Sequence, residues 1–85
     1  MNCILLGGPL DGDEHVFPSA PEYLRQSDQA EKRGVHSAAW GHYVYLRRDL
    51  DVTAPERLAA ALRRNIDAAQ VMLYECRGWE KGRRT

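Results

Sequence analysis

Thr53-Ala54-Pro55-Glu56-Arg57-Leu58-Ala59-Ala60-Ala61-Leu62-Arg63-Arg64-Asn65-Ile66-Asp67-Ala68 is the stretch whose reading decides the fold. Thr53 and Glu56 stand in capping-box order, and Pro55 falls in the first turn, where its missing N–H is not needed. Leu58, Leu62, Ile66 and Ala69 follow at steps of four, four and three, drawing one apolar stripe along a helix through about Ala68 (54–68). Arg57, Arg63 and Arg64 then point away from that stripe. Fully burying Leu58, Leu62 and Ile66 contributes about 1.5–3 kcal/mol each, so Leu62→Asp is expected to unfold the domain.

A lone amphipathic helix needs a second layer, and the flanking sequence supplies strands. Before the helix, His42-Tyr43-Val44-Tyr45-Leu46-Arg47-Arg48 alternates Val44 and Leu46 with Tyr43, Tyr45 and Arg47, as the two faces of a strand require. After it, Val71-Met72-Leu73-Tyr74-Glu75-Cys76-Arg77 reads as a last strand stopped by Gly78, with residues 79–85 a flexible basic tail. At the other end, Cys3-Ile4-Leu5-Leu6 and His15-Val16-Phe17 flank the turn formers Gly7, Gly8, Pro9, Asp11 and Gly12, which predicts a β-hairpin with those five as its structural turn. Residues 19–37 are polar. Ser19-Ala20-Pro21-Glu22 repeats the capping-box form, so this stretch is either a loop or holds a short helix within 20–33. The sum is an α+β fold: about four antiparallel strands in one sheet, with the main helix packed on one face.

Eighty-five residues make one domain, 1–85, with a thin stability margin that self-association would widen. Lys plus Arg equals Asp plus Glu at 12 each, which argues against a general nucleic-acid coat protein. The balance conceals an asymmetry, six acidic and three basic residues in 1–42 against six acidic and nine basic in 43–85. Cys3 and Cys76 form no CxxC pair, and the opening Met1-Asn2-Cys3-Ile4-Leu5-Leu6 is too short an apolar run for a leader or a membrane span, which predicts a cytoplasmic protein without a disulfide framework.

At Leu5-Leu6-Gly7-Gly8-Pro9-Leu10-Asp11-Gly12 the chain resembles small uncharacterised proteins of tailed bacteriophages, notably those of actinobacteria, which open with a strand and a Gly-Gly-Pro-x-Asp-Gly turn. The likeness covers about the first 17 residues and extends loosely to Tyr43–Arg48 and Leu73–Gly78. It implies a phage or prophage accessory protein working in the cytoplasm of a bacterial host, and no reaction.

The chemistry-bearing residues are sparse. Gly7 and Gly12 have the spacing that opens a phosphate-binding loop, but Asp13 and Glu14 stand where that loop needs Lys and Ser or Thr, and would repel a phosphate. Asp11, Asp13, Glu14 and His15 lack the remainder of a calcium loop, and Cys3, Cys76, His36 and His42 lack the paired spacing of a structural zinc site, so neither a metal nor a cofactor is expected. The same cysteines and histidines carry no nucleophile motif, and no catalytic residue is assigned. Trp40, Tyr43, Tyr45, Arg47, Arg48 and Trp79 are of types enriched at binding hot spots and form the candidate partner-binding set. The expected function is therefore non-enzymatic protein binding, to a host factor or to a second copy in a homodimer. Weak nucleic-acid binding through Arg57, Arg63, Arg64 and the 81–84 tail is the alternative, and a small enzyme without a recognisable motif the third.

Overall fold

The fold is taken from a computed structural model that describes residues 1–27 and 41–81. It is α+β, with strands β1 (Asn2–Leu6), β2 (Glu14–Val16), β3 (Tyr23–Ser27), β4 (Gly41–Arg48) and β5 (Val71–Lys81) and one helix, α1 (Pro55–Arg64), followed by a single 3₁₀ turn at Ala68–Gln70. The strands form one sheet in the order β2-β1-β5-β4-β3. It is mixed, not purely antiparallel: β1 runs parallel to β5, Ile4 opposite Leu73, while the other three neighbouring pairs are antiparallel.

The central strands are covered on both faces, which is why β1 and β5 read as near-continuous apolar runs. One face gathers Cys3, Leu5, Leu24, Tyr45 and Tyr74, with Leu10, Phe17 and Ala20 against them. The other gathers Ile4, Val71 and Leu73 under Ala61 of α1. The helix closes only this second face; chain segments cover the first.

Five strands replace the four expected because Tyr23–Ser27, within the stretch where a short helix was an option, pairs with β4 as an edge strand. Leu24 is buried opposite Tyr45, while Tyr23 and Arg25 on the other face are exposed. The approach to β3 is held extended: Arg47 Nη1 donates to the Ala20 carbonyl oxygen at 2.6 Å, and the Tyr74 hydroxyl donates to that of Pro21. Residues 28–33 of the expected helix lie outside the described residues.

The last strand does not stop at Gly78. It continues to Lys81 through a β-bulge, since Tyr45 pairs with Cys76 and Val44 with Gly78, leaving Arg77 as the extra residue. Gly78 takes φ 112°, open to it because it has no side chain. Trp79–Lys81 are thus part of the sheet, and 82–85 lie outside the described residues.

The helix begins and ends differently from the expectation as well. Ala54 is the N-cap, and Thr53 turns its N–H and hydroxyl to Asp51 Oδ1 at 2.9 Å each. At the other end Asn65 is left-handed (φ 54°), its N–H donates to Leu62 O at 3.2 Å, and the Ile66 N–H donates to Ala61 O at 3.1 Å. That pair of bonds is a Schellman ending, and it stops α1 at Arg64.

The largest correction concerns which side of α1 meets the sheet. Leu58 is 46% exposed and Leu62 83%, while Arg57 and Ala61 are 6% and 4% exposed. The leucine stripe faces outward; Arg57 lies beneath the helix. Only Ile66, beyond the helix end, joins the core from the expected stripe.

Candidate functional site

Six residues were expected to share a binding surface, and the five that the structure describes do not all share one. Tyr45 is fully buried; its hydroxyl donates to the Gly7 carbonyl oxygen at 2.8 Å and accepts the Leu10 N–H at 3.3 Å, tying the β1–β2 turn to the sheet. Burial pushes its pKa up, the Leu10 N–H opposes the shift and the neighbouring Cys76 adds to it. Arg47 is half-buried on the same face, bound to Ala20 and, through Nε at 2.6 Å, to Asp49. Arg48 is half-buried on the opposite face, across from Leu73. Tyr43 and Trp79 are cross-strand partners, with Trp79 40% exposed and its ring lying over Gly41. Trp40 lies outside the described residues. Of the described members of the set, only Tyr43 and Trp79 come together at a surface, and the buried Tyr45 stands between them and Arg47.

The β1–β2 turn has an internal frame. The Gly7 N–H donates to Asp11 Oδ1 at 2.6 Å and the Gly12 N–H to the Leu5 carbonyl oxygen at 2.7 Å. Gly8, at φ 65°, passes so near the sheet that a Cβ would sit 2.7 Å from Cys76 Sγ and 2.9 Å from the Tyr45 hydroxyl oxygen. Four of the turn residues singled out from sequence, Gly7, Gly8, Asp11 and Gly12, thus lay the turn over one face. Asp11 is engaged by the turn itself.

The cysteines do not converge. Cys3 pairs with Met72 and Cys76 lies four positions further along β5, so both are free thiols at separate places on one face. Burial pushes the Cys3 thiol up, with the Tyr74 hydroxyl 3.8 Å away opposing the shift, which disfavours the thiolate a nucleophile or metal ligand needs. Among the described residues no three His, Cys, Asp or Glu side chains converge on a metal position.

The outer face of α1 is the surface that sequence reasoning missed. About 100° per residue separates successive side chains, so Leu58 and Leu62 lie along one flank, Glu56 and Arg63 along the other, and Ala59 between them. All five are exposed. The signal that could have found this face is the competing stripe Arg57, Ala60, Ala61, Arg64, whose small residues allow close approach to β5. What selects it is Arg57: Nη1 donates to Leu50 O at 2.9 Å, Nε to Ala68 O at 2.9 Å and Nη2 to Ala69 O at 3.4 Å. One side chain satisfies carbonyls from the segments before and after the helix. Arg64 adds an ion pair to Glu14 of β2 at 3.6 Å.

Beside α1, toward the β1–β2 turn, lies a cleft of about 310 Å³ floored by Ile4, Leu6 and Leu73 and edged by Asp11, Glu56 and Arg63. Its rim carries opposite charges and no paired acid and base at hydrogen-bond distance. No helix among the described residues is long and apolar enough to cross a membrane. No protein-family model, curated protein or solved structure matches the chain.

Proposed function

We propose that this is a phage accessory protein that works in its host's cytoplasm by binding protein, without catalysis, and that the outer face of α1 is its binding surface. The observation that supports this reading is the 83% exposure of Leu62 beside the half-exposed Leu58, a leucine pair held in water by a helix anchored from its other side. Tyr43 and Trp79 offer a second, smaller apolar site. The phage provenance rests on the likeness of the Gly7–Gly12 turn and its flanking strand to the tailed-phage proteins.

Nucleic-acid binding has less support, because two of the three arginines that α1 contributes to the expected basic strip, Arg57 and Arg64, are engaged. Arg57 is buried on three carbonyls, Arg64 pairs with Glu14 and Arg77 with Glu75. Phosphate contacts require cations free to displace counterions.

The test is affinity capture from bacterial lysate with the wild type and with Leu58→Asp/Leu62→Asp, alongside sedimentation of each. The expected result is a partner, foreign or a second copy, that the wild type holds and the folded double variant loses. A wild type that captures nothing and sediments as a monomer, or a double variant that keeps every interaction, overturns the reading.

A further inference from the structure

We infer that the occupant of the α1 face is a second copy of this chain, docked through the same face by a two-fold axis that sets the two helices antiparallel. The inference rests on the protein-binding reading above and names the partner.

The pattern of α1 is self-complementary under that operation. A two-fold axis perpendicular to an antiparallel helix pair returns each residue to the same flank of the partner helix, at the mirrored height. Leu58 and Leu62 are centred on position 60, and Glu56 and Arg63 midway between 59 and 60, so one axis serves both pairs. Leu58 then meets Leu62 of the second copy along one flank, and Glu56 meets Arg63 of the second copy along the other, each contact occurring twice. Ala59, at the crossing, has no side chain beyond Cβ to hold the helices apart. A parallel arrangement, with its two-fold axis along the helices, turns the Leu58–Leu62 flank of each copy onto the Glu56–Arg63 flank of the other and sets apolar against charged side chains, so it is disfavoured.

The charged pair also lacks another use within the described residues. Neither Glu56 nor Arg63 forms an ion pair there, although Arg64 next door does. Pro55, Glu56, Leu58, Ala59, Leu62 and Arg63 are all exposed, and Glu56, Ala59 and Arg63 also border the cleft beside α1. One helix pair buries less than the ~1,200–2,000 Å² of a standard stable interface, so the dimer forms at elevated concentration and exchanges quickly.

Charge reversal tests this with purified full-length chain. Across about 10 µM to 1 mM, sedimentation equilibrium of the wild type is expected to show the mass rising from 9.7 kDa toward twice that value. Glu56→Arg alone and Arg63→Glu alone each place like charges together twice, and each should weaken the dimer at least about tenfold. Mixed in equal amounts they restore both Glu–Arg contacts, and the mixture should dimerise as the wild type does. Leu62→Asp, exposed and remote from the charge flank, should abolish the dimer independently. A wild type that remains at 9.7 kDa at the top of the range overturns the second-copy inference. So does self-association of the single charge variants equal to that of the wild type. If such a monomer nonetheless captures a foreign partner through Leu58 and Leu62, the protein-binding reading survives and only the identity of the occupant fails.

Discussion

Arg57 Nη1 donates to the Leu50 carbonyl oxygen across 2.9 Å, joining the helix to the loop that leads into it. The same guanidinium holds Ala68 and Ala69 on the other side, so its loss leaves three part-buried carbonyls without their donor. Arg57→Ala is expected to destabilise the domain by about 3 kcal/mol, since hydrogen bonds from a charged donor are worth more than neutral ones. Arg57→Lys should recover less than half of this, because an ammonium cannot span the positions a planar guanidinium does. Urea unfolding of the three proteins checks both.

Leu58→Asp and Leu62→Asp should leave the fold intact. Surface substitutions away from caps and packed contacts stay within about 0.5 kcal/mol each, so the double variant should melt within a few degrees of the wild type. Loss of cooperative melting in the Leu62→Asp protein would place that side chain in the core.

Gly8→Ala is expected to destabilise by at least about 2 kcal/mol, combining left-handed backbone strain with a collision against Cys76 and Tyr45. Gly12→Ala is the control: its φ is also positive, at 88°, but a Cβ there meets nothing within 4 Å. It should cost only the backbone component. Replacing Cys76 by Ala in the Gly8→Ala background removes the nearer clash and should recover part of the loss.

Alkali should weaken the fold through its buried hydroxyls. Burial raises the pKa of Tyr74, with the Cys3 thiol adding to the shift, and burial likewise raises that of Tyr45. A raised folded-state value means the fold favours the neutral phenol. That stability is complete below the unfolded value of about 10 and is lost as pH climbs toward the folded value, by up to ~1.4 kcal/mol per pH unit for each group. Unfolding free energy measured at pH 9, 10 and 11 should fall less steeply in Tyr74→Phe than in the wild type.

The existence of α1 was legible, since Pro55 and the regular leucines announce a helix. Its rotation was not. Two stripes run along it, and hydrophobicity alone selects Leu58 and Leu62. The choice is made by acceptors on Leu50, Ala68 and Ala69 that exist only once the loops are placed, and by the need for a residue as small as Ala61 over Ile4 and Leu73. The central strands were readable because burial on both faces leaves unbroken apolar runs. β3 was not, because Tyr23–Ser27 carries one inward apolar residue, Leu24, and is held as a strand by its pairing with β4. Gly78 looked like a terminator and is a bulge, a distinction that depends on the register of Val44 and Tyr45 opposite it. For the candidate site, Tyr45 was selected by type, yet its hydroxyl is engaged by Gly7, 38 residues earlier in the chain. Trp79 and Tyr43 do pair, which strand alternation alone could not reveal without the bulge that brings them opposite each other.

The orientation of α1 underlies the stability predictions for its residues and the proposed dimer alike, and contacts between methyl groups report it directly. In a methyl-resolved NOE spectrum of the monomer at low concentration, the Ala61 methyl should show cross-peaks to the methyls of Ile4 and Leu73, and the Leu62 methyls none to either. Cross-peaks from Leu62 to Ile4 and Leu73, with Ala61 silent, would contradict the account.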